Sequence, residues 1–199
     1  MEDFFKFKKK EEVPHPTLEV LKCRNKEYVN DKPHSIKEQT PKAVIVTCID
    51  SRIVVEDIFK LGAGDVITIR TSGNVITNEI LFDLVFACSF PSVNLVMVLG
   101  HDNCAAVKRV IDTEEKDWGL LGKLRPILPA VRASADIIYG GETVSSNPGF
   151  FDLVCRTNVQ QSVNTIREYR FLREKEKNGD IKIVGAYLYL DSGMVEFIC

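Results

Sequence analysis

The stretch Val44-Ile45-Val46-Thr47-Cys48-Ile49-Asp50-Ser51-Arg52 decides the fold. Its β-branched apolar run reads as a strand, and it ends in a thiol, a carboxylate and a guanidinium. Residues two apart in an extended segment share a face, so Cys48, Asp50 and Arg52 start on one side if the strand reaches them. A second apolar run, Leu95 to Leu99, ends in Gly100-His101-Asp102-Asn103-Cys104. Open α/β sheets carry their chemistry at the carboxyl ends of strands, so two strands deliver complementary metal-ligand types to one sheet edge.

Working outward, Ile53 to Leu61 fits a helix closed by Gly62, and Val66 to Arg70 a strand. Gly62-x-Gly64 fails as a nucleotide loop: Ile67 stands where a third glycine belongs, and the pair precedes a strand. Arg70-Thr71-Ser72-Gly73-Asn74 is a polar turn. Leu81, Leu84, Val85 and Cys88 share one helical face, and Pro91 ends that helix. The strand Asn94 to Leu99 leads into a helix opened by His101 to Cys104. Residues 112–126 read as a polar loop with an apolar insert at Trp118, before a helix over Ile127 to Tyr139. Gly140 to Gly149 reads as a surface loop. One long helix with Val159, Val163 and Ile166 on a face then runs to Asn178-Gly179. A hairpin joins Ile181–Leu190 to Met194–Ile198 through Asp191-Ser192-Gly193. Upstream, Leu18, Leu21, Asn25 and Tyr28 predict a helix from Thr17 to about Asn30-Asp31, and Phe4, Phe5 and Phe7 suit docking on a partner subunit. Strand and helix alternate, so the class is α/β with a mainly parallel central sheet, an antiparallel edge strand and flanking helices.

At 199 residues, 45% apolar and 27% charged, the chain fits one folded domain. A formal net charge of −2 gives no electrostatic case for nucleic acid. No apolar run approaches the roughly 18 to 20 residues of a membrane span. The opening Met1-Glu2-Asp3-Phe4-Phe5-Lys6 does not read as a targeting signal, so a cytoplasmic home is expected. Of six cysteines, Cys23, Cys88, Cys155 and Cys199 read as ordinary buried residues without a polar constellation. His15 and His34 sit in proline-flanked polar stretches and read as surface histidines.

Cys48, His101 and Cys104 form a nitrogen-and-sulfur set suited to zinc. On the first turn of a helix, His101 and Cys104 would share a face, and the helix N-terminus would favour the Cys104 thiolate. Three ligands leave a fourth position for water, as catalytic zinc sites do. Two thiolates neutralise the dication, so its water needs help from neighbours. Asp50 is placed to accept a hydrogen bond from metal-bound hydroxide, and Arg52 to hold Asp50 bidentately, ionised and off the metal. With that pair broken, Asp50 becomes a fourth ligand and closes the site. Ser51 caps or shapes the turn. A Cys-x₅-Arg phosphatase loop is excluded, because Arg52 follows Cys48 by four positions. A Cys48–Cys104 redox pair would leave His101 and the Asp50–Arg52 pair without roles, and a structural zinc site would leave Arg52 without one.

Cys48-Ile49-Asp50-Ser51-Arg52, Gly64-Asp65 leading to Arg70–Asn74, and Gly100–Cys104 together resemble the β-class carbonic anhydrases, as do Ile183–Ala186 with the Asp191 turn and the helix from Leu18 to Val29. The resemblance runs from about residue 17 to the end. It implies one zinc per chain on Cys48, His101 and Cys104, an Asp50–Arg52 catalytic dyad, and reversible hydration of CO₂ to bicarbonate and a proton by zinc-bound hydroxide. It also implies a homodimer or a dimer of dimers, with residues 1–40 as an arm and helix packing on the partner and 41–199 as the catalytic domain. Ala105 and Ser72 depart from the family pattern, where glycine and alanine are usual. Hydrolysis of COS or CS₂ on the same scaffold, and a non-catalytic protein binding zinc or bicarbonate, are the alternative functions.

Overall fold

The computed structural model describes residues 16–31, 39–113, 119–139 and 148–199, and the chain divides into two units, 1–37 and 38–199. Of the first unit it describes the helix α1 (Pro16–Asp31), as the spacing of Leu18, Leu21 and Tyr28 predicts. The expectations for Phe4, Phe5, Phe7, His15, His34, Trp118 and residues 140–147 lie outside the described residues.

In the second unit the apolar runs become β1 (Ala43–Cys48), β2 (Val66–Thr71), β3 (Leu95–His101), β4 (Lys182–Leu188) and β5 (Val195–Phe197). Their order is β2-β1-β3-β4-β5. The first four are mutually parallel, and β5 closes the edge antiparallel to β4. The continuous apolar runs have a reason: Val44, Val46, Val96, Val98 and Leu99 are all fully buried, as strands covered on both faces must be. The helices between them are α2 (Val55–Phe59), α3 (Asn78–Ala87), α4 (Ala105–Asp112), α5 (Leu128–Tyr139), α6 (Pro148–Glu168) and α7 (Arg170–Lys177). Among the described residues no helix is long and apolar enough to cross a membrane.

Four details differ from the sequence expectation. The helix after Arg52 is short and is closed by Lys60, whose φ of 54° supplies the left-handed turn expected of Gly62. His101 belongs to β3, not to a helix. The long C-terminal helix is two, because Tyr169 adopts an extended ψ of 116°, which redirects the chain and buries Leu172 completely. The last is Cys23, which lies exposed on α1 with its sulfur 3.8 Å from Glu27 Oε1; Cys88 and Cys155 are buried.

The Arg167 guanidinium joins α6 to α7 through Glu176, at 3.0 and 3.1 Å. The same two side chains meet the backbone of β4: Arg167 donates to the Ile183 carbonyl at 2.9 Å, and Ile183 N–H donates to Glu176 Oε1 at 3.1 Å. α6 seats against β3 and β4 where both lack side chains. A Cβ on Gly100 would lie 2.3 Å from Val159 Cγ2, and one on Gly185 2.9 Å from Val159 Cγ1. These glycines let a helix approach the sheet closely, and such interfaces tolerate added volume poorly. Gly100→Ala is expected to lower the unfolding free energy by about 1–3 kcal/mol in urea titrations. Adding Val159→Ala is expected to restore most of that loss, as a double-mutant cycle would show.

Candidate metal centre

The connection from β1 runs to β2 on one side, and the connection from β3 runs to β4 on the other. The crevice between the carboxyl ends of β1 and β3 is therefore the topological switch point, where open α/β sheets bind ligands. Cys48 is the last residue of β1 and His101 the last of β3. Asp102 and Asn103 then turn the chain, Asn103 in the left-handed region at φ 51°, and Cys104 caps the N-terminus of α4. The three ligand candidates converge through a turn and two strand ends, not along one helical face. Ala105 is an exposed first residue of α4, where a methyl group is accommodated without strain.

The ligand atoms of Cys48, His101 and Cys104 lie within 4.8 Å of one another, and all three residues are buried. The Sγ atoms are 3.9 Å apart. Two thiolates on one tetrahedral zinc, at bonds of about 2.3 Å, would stand about 3.8 Å apart. The histidine nitrogens decide the fit. Nδ1 lies 2.6 Å from the Asp102 carbonyl, which can only accept, so Nδ1 carries the proton. Nε2 then holds a free lone pair in a residue 1% exposed, and among the described residues it has no hydrogen-bond partner. A buried lone pair beside two thiols is what a zinc ligand set presents, with the Asp102 carbonyl orienting the ring. The Cys48 thiol is held low, first by the hydrogen bond from Cys104 and also by the Gly73 N–H, against its burial. Cys104 is pushed up by that same bond and by burial, so Cys48 is the more acidic of the pair.

Asp50 lies outside the three-residue group and faces Arg52. Arg52 Nε and a terminal nitrogen donate to its two oxygens at 2.9 and 2.7 Å, and Arg52 N–H adds a bond to Oδ1 at 3.1 Å. Asp50 itself thus shapes the turn, the role expected of Ser51, which is exposed. The Arg52 hydrogen bonds hold the Asp50 carboxyl well below the usual carboxylate range.

Arg70, at the end of the adjacent strand β2, donates to the Cys48 carbonyl at 3.1 Å and also to the Asp50 carbonyl. Gly73 N–H donates to Cys48 Sγ at 3.3 Å. Asp102 Oδ1 accepts from Leu190 N–H at 2.9 Å, tying the β4–β5 turn to the site. The sequence by itself gives Arg70 and Gly73 no role; a charged residue ending the strand next to β1 is the signal it offers. Cys155 is less isolated than expected. Burial pushes its thiol up to about 12, against hydrogen bonds from the Cys104 backbone and Tyr187.

A family model described as carbonic anhydrase matches residues 43–195. A carbonic anhydrase of Mycolicibacterium smegmatis is 32% identical over 159 residues, covering 79% of this chain and 75% of its own. Carbonic anhydrase 2 of Mycobacterium tuberculosis is 29% identical over 192 residues, covering 90% of each. Among solved structures, a tetrameric β-carbonic anhydrase of Sordaria macrospora superposes with a TM-score of 0.76 at 17% identity, covering 92% of this chain and 95% of that one.

The Asp50 carboxyl has a folded-state pKa below its ordinary 3.8. A group so depressed stabilises the fold above its unfolded pKa and loses that contribution as pH falls through the folded value. The stability difference between wild type and Asp50→Asn, measured as a urea midpoint, is therefore expected at pH 5 and should shrink steadily below about pH 4.

Proposed function

The chain belongs to the β-class carbonic anhydrases, a family of carbonate dehydratases, and from that premise we propose how its own residues carry the reaction. Cys48 Sγ, His101 Nε2 and Cys104 Sγ hold one zinc ion. The observation that supports this is the unpartnered, buried His101 Nε2 beside two thiols. When bound, zinc supplies a water acidic enough to provide the nucleophile for CO₂.

Asp50 accepts a hydrogen bond from that nucleophile and so fixes the direction of its attacking lone pair. Arg52 donates to both Asp50 oxygens, which keeps the carboxylate ionised and away from the metal. Since Asp50 stays charged far below neutrality, its own titration does not set the pH dependence of turnover near pH 7. Arg70 fixes the two carbonyls on either side of this turn, so Cys48 and Asp50 keep their spacing. Among the described residues His101 is the sole histidine and is assigned as a ligand, so no described imidazole is free to take the product proton.

The protein works as a homodimer or a dimer of dimers in the cytoplasm, with residues 1–40 packing on a partner subunit. Two features support the assembly. Phe82 and Phe86, one turn apart on α3, are 66% and 68% exposed, and α1 exposes Leu18, Val20, Leu21, Tyr28 and Val29. Apolar surface of this kind marks interfaces.

Stopped-flow CO₂ hydration between about pH 6.5 and 9, on protein of assayed zinc content, tests the reading. The expected result is turnover that rises with pH at one zinc per chain. Asp50→Asn should lose about 10²- to 10⁴-fold in kcat/KM with its zinc retained; zinc lost together with activity would contradict the role given to Asp50. For the assembly, Phe82→Glu combined with Phe86→Glu should sediment as a monomer where the wild type sediments as a dimer or larger.

A further inference from the structure

α6 packs on the sheet with Val154, Val159, Val163 and Ile166, all fully buried, yet it buries two polar side chains one turn apart. Asn158 is 2% exposed and Ser162 5%. Buried polar groups are tolerated only when hydrogen-bonded, and both are. Asn158 Nδ2 donates to the Gly73 carbonyl at 2.8 Å, and Ser162 Oγ to the Asn74 carbonyl at 3.2 Å.

Those carbonyls belong to consecutive peptides in a turn where Gly73 and Asn74 both have positive φ, 67° and 47°. Glycine adopts that region freely and asparagine tolerates it. Thr71 Oγ1 closes the turn by donating to the Val75 carbonyl at 3.1 Å. A Cβ on Gly73 would stand 2.9 Å from Ile127 Cδ1 and 3.3 Å from Ala106 Cβ, so the backbone is hemmed in there as well. With both following peptides held from α6, the Gly73 N–H is fixed in direction, and it points at Cys48 Sγ from 3.3 Å.

We propose that Asn158 and Ser162 are positioning residues of the metal centre: they aim the Gly73 N–H at Cys48 Sγ and thereby limit how much electron density that thiolate gives the metal. The proposal rests on Cys48, His101 and Cys104 being the ligands. An N–H donated to a thiolate stabilises the sulfur lone pairs and weakens their donation. In a site with two thiolates, that restores part of the Lewis acidity that the sulfurs remove.

Cobalt(II)-substituted full-length protein reads this directly, because the thiolate-to-cobalt charge-transfer band follows the electron density on sulfur. Ser162→Ala and Asn158→Asp should each move the band to longer wavelength. Ser162→Thr, which keeps the hydroxyl, should leave it in place. Should Asn158→Asp fail to fold, the Ser162 pair still decides. Folded variants with a lowered thermal midpoint and an unmoved band would overturn the proposal, leaving two side chains that only satisfy buried carbonyls. Wild-type protein that binds cobalt without any thiolate band would instead refute the ligand assignment itself, a separate failure visible before any variant is made.

Discussion

The parallel pairing of β1 with β3 is the constraint on which the rest depends. It brings Thr47 opposite Leu99, and Thr47 Oγ1, fully buried, fastens that register by donating to the Leu99 carbonyl at 2.8 Å. A slip of one residue would turn alternate side chains to the other face. It would also carry His101 away from Cys48, because each is the last residue of its strand. The apolar core and the chemistry therefore share one set of backbone hydrogen bonds. Long-range strand pairing, more than any local motif, is what brings Cys48, His101 and Cys104 together.

Around that edge, the backbone is held as firmly as the side chains. The Asp102 carbonyl sets the imidazole, Arg70 grips the carbonyls of residues 48 and 50, and Gly73 offers its N–H to a sulfur. Main-chain groups cannot be altered by substitution at their own position without changing the fold. The residues that fix them in place are where the centre is open to tuning by sequence change.

The strands and their class were legible because β-branched runs are local signals, and Cys48, His101 and Cys104 were legible because soft ligands at two strand ends are chemically conspicuous. Other features depended on partners distant in the chain. Asn158 and Ser162 look like ordinary polar residues in a helix until Gly73 and Asn74, 85 and 88 positions away, are placed beside them. Asn103 and Lys60 adopt left-handed backbone that composition does not announce, so the His101–Cys104 turn reads as helix and α2 reads too long. Tyr169 breaks a helix whose periodicity runs on through it, because burying Leu172 outweighs local propensity.

The Arg167–Glu176 pair on Ile183 means more than a tie between two helices. β5 is only three residues long and covers the end of β4, while the Cys199 carbonyl takes the Gly185 N–H at 2.6 Å. Ile183 would be the next open rung, and there a guanidinium stands in for the missing strand's amide and a carboxylate for its carbonyl. The sheet's border is thus sealed by charge where backbone runs out, leaving a foreign strand nothing to zip onto along that stretch. The proposed pairing of copies through helical faces is thereby kept apart from the uncontrolled stacking that an open β edge invites.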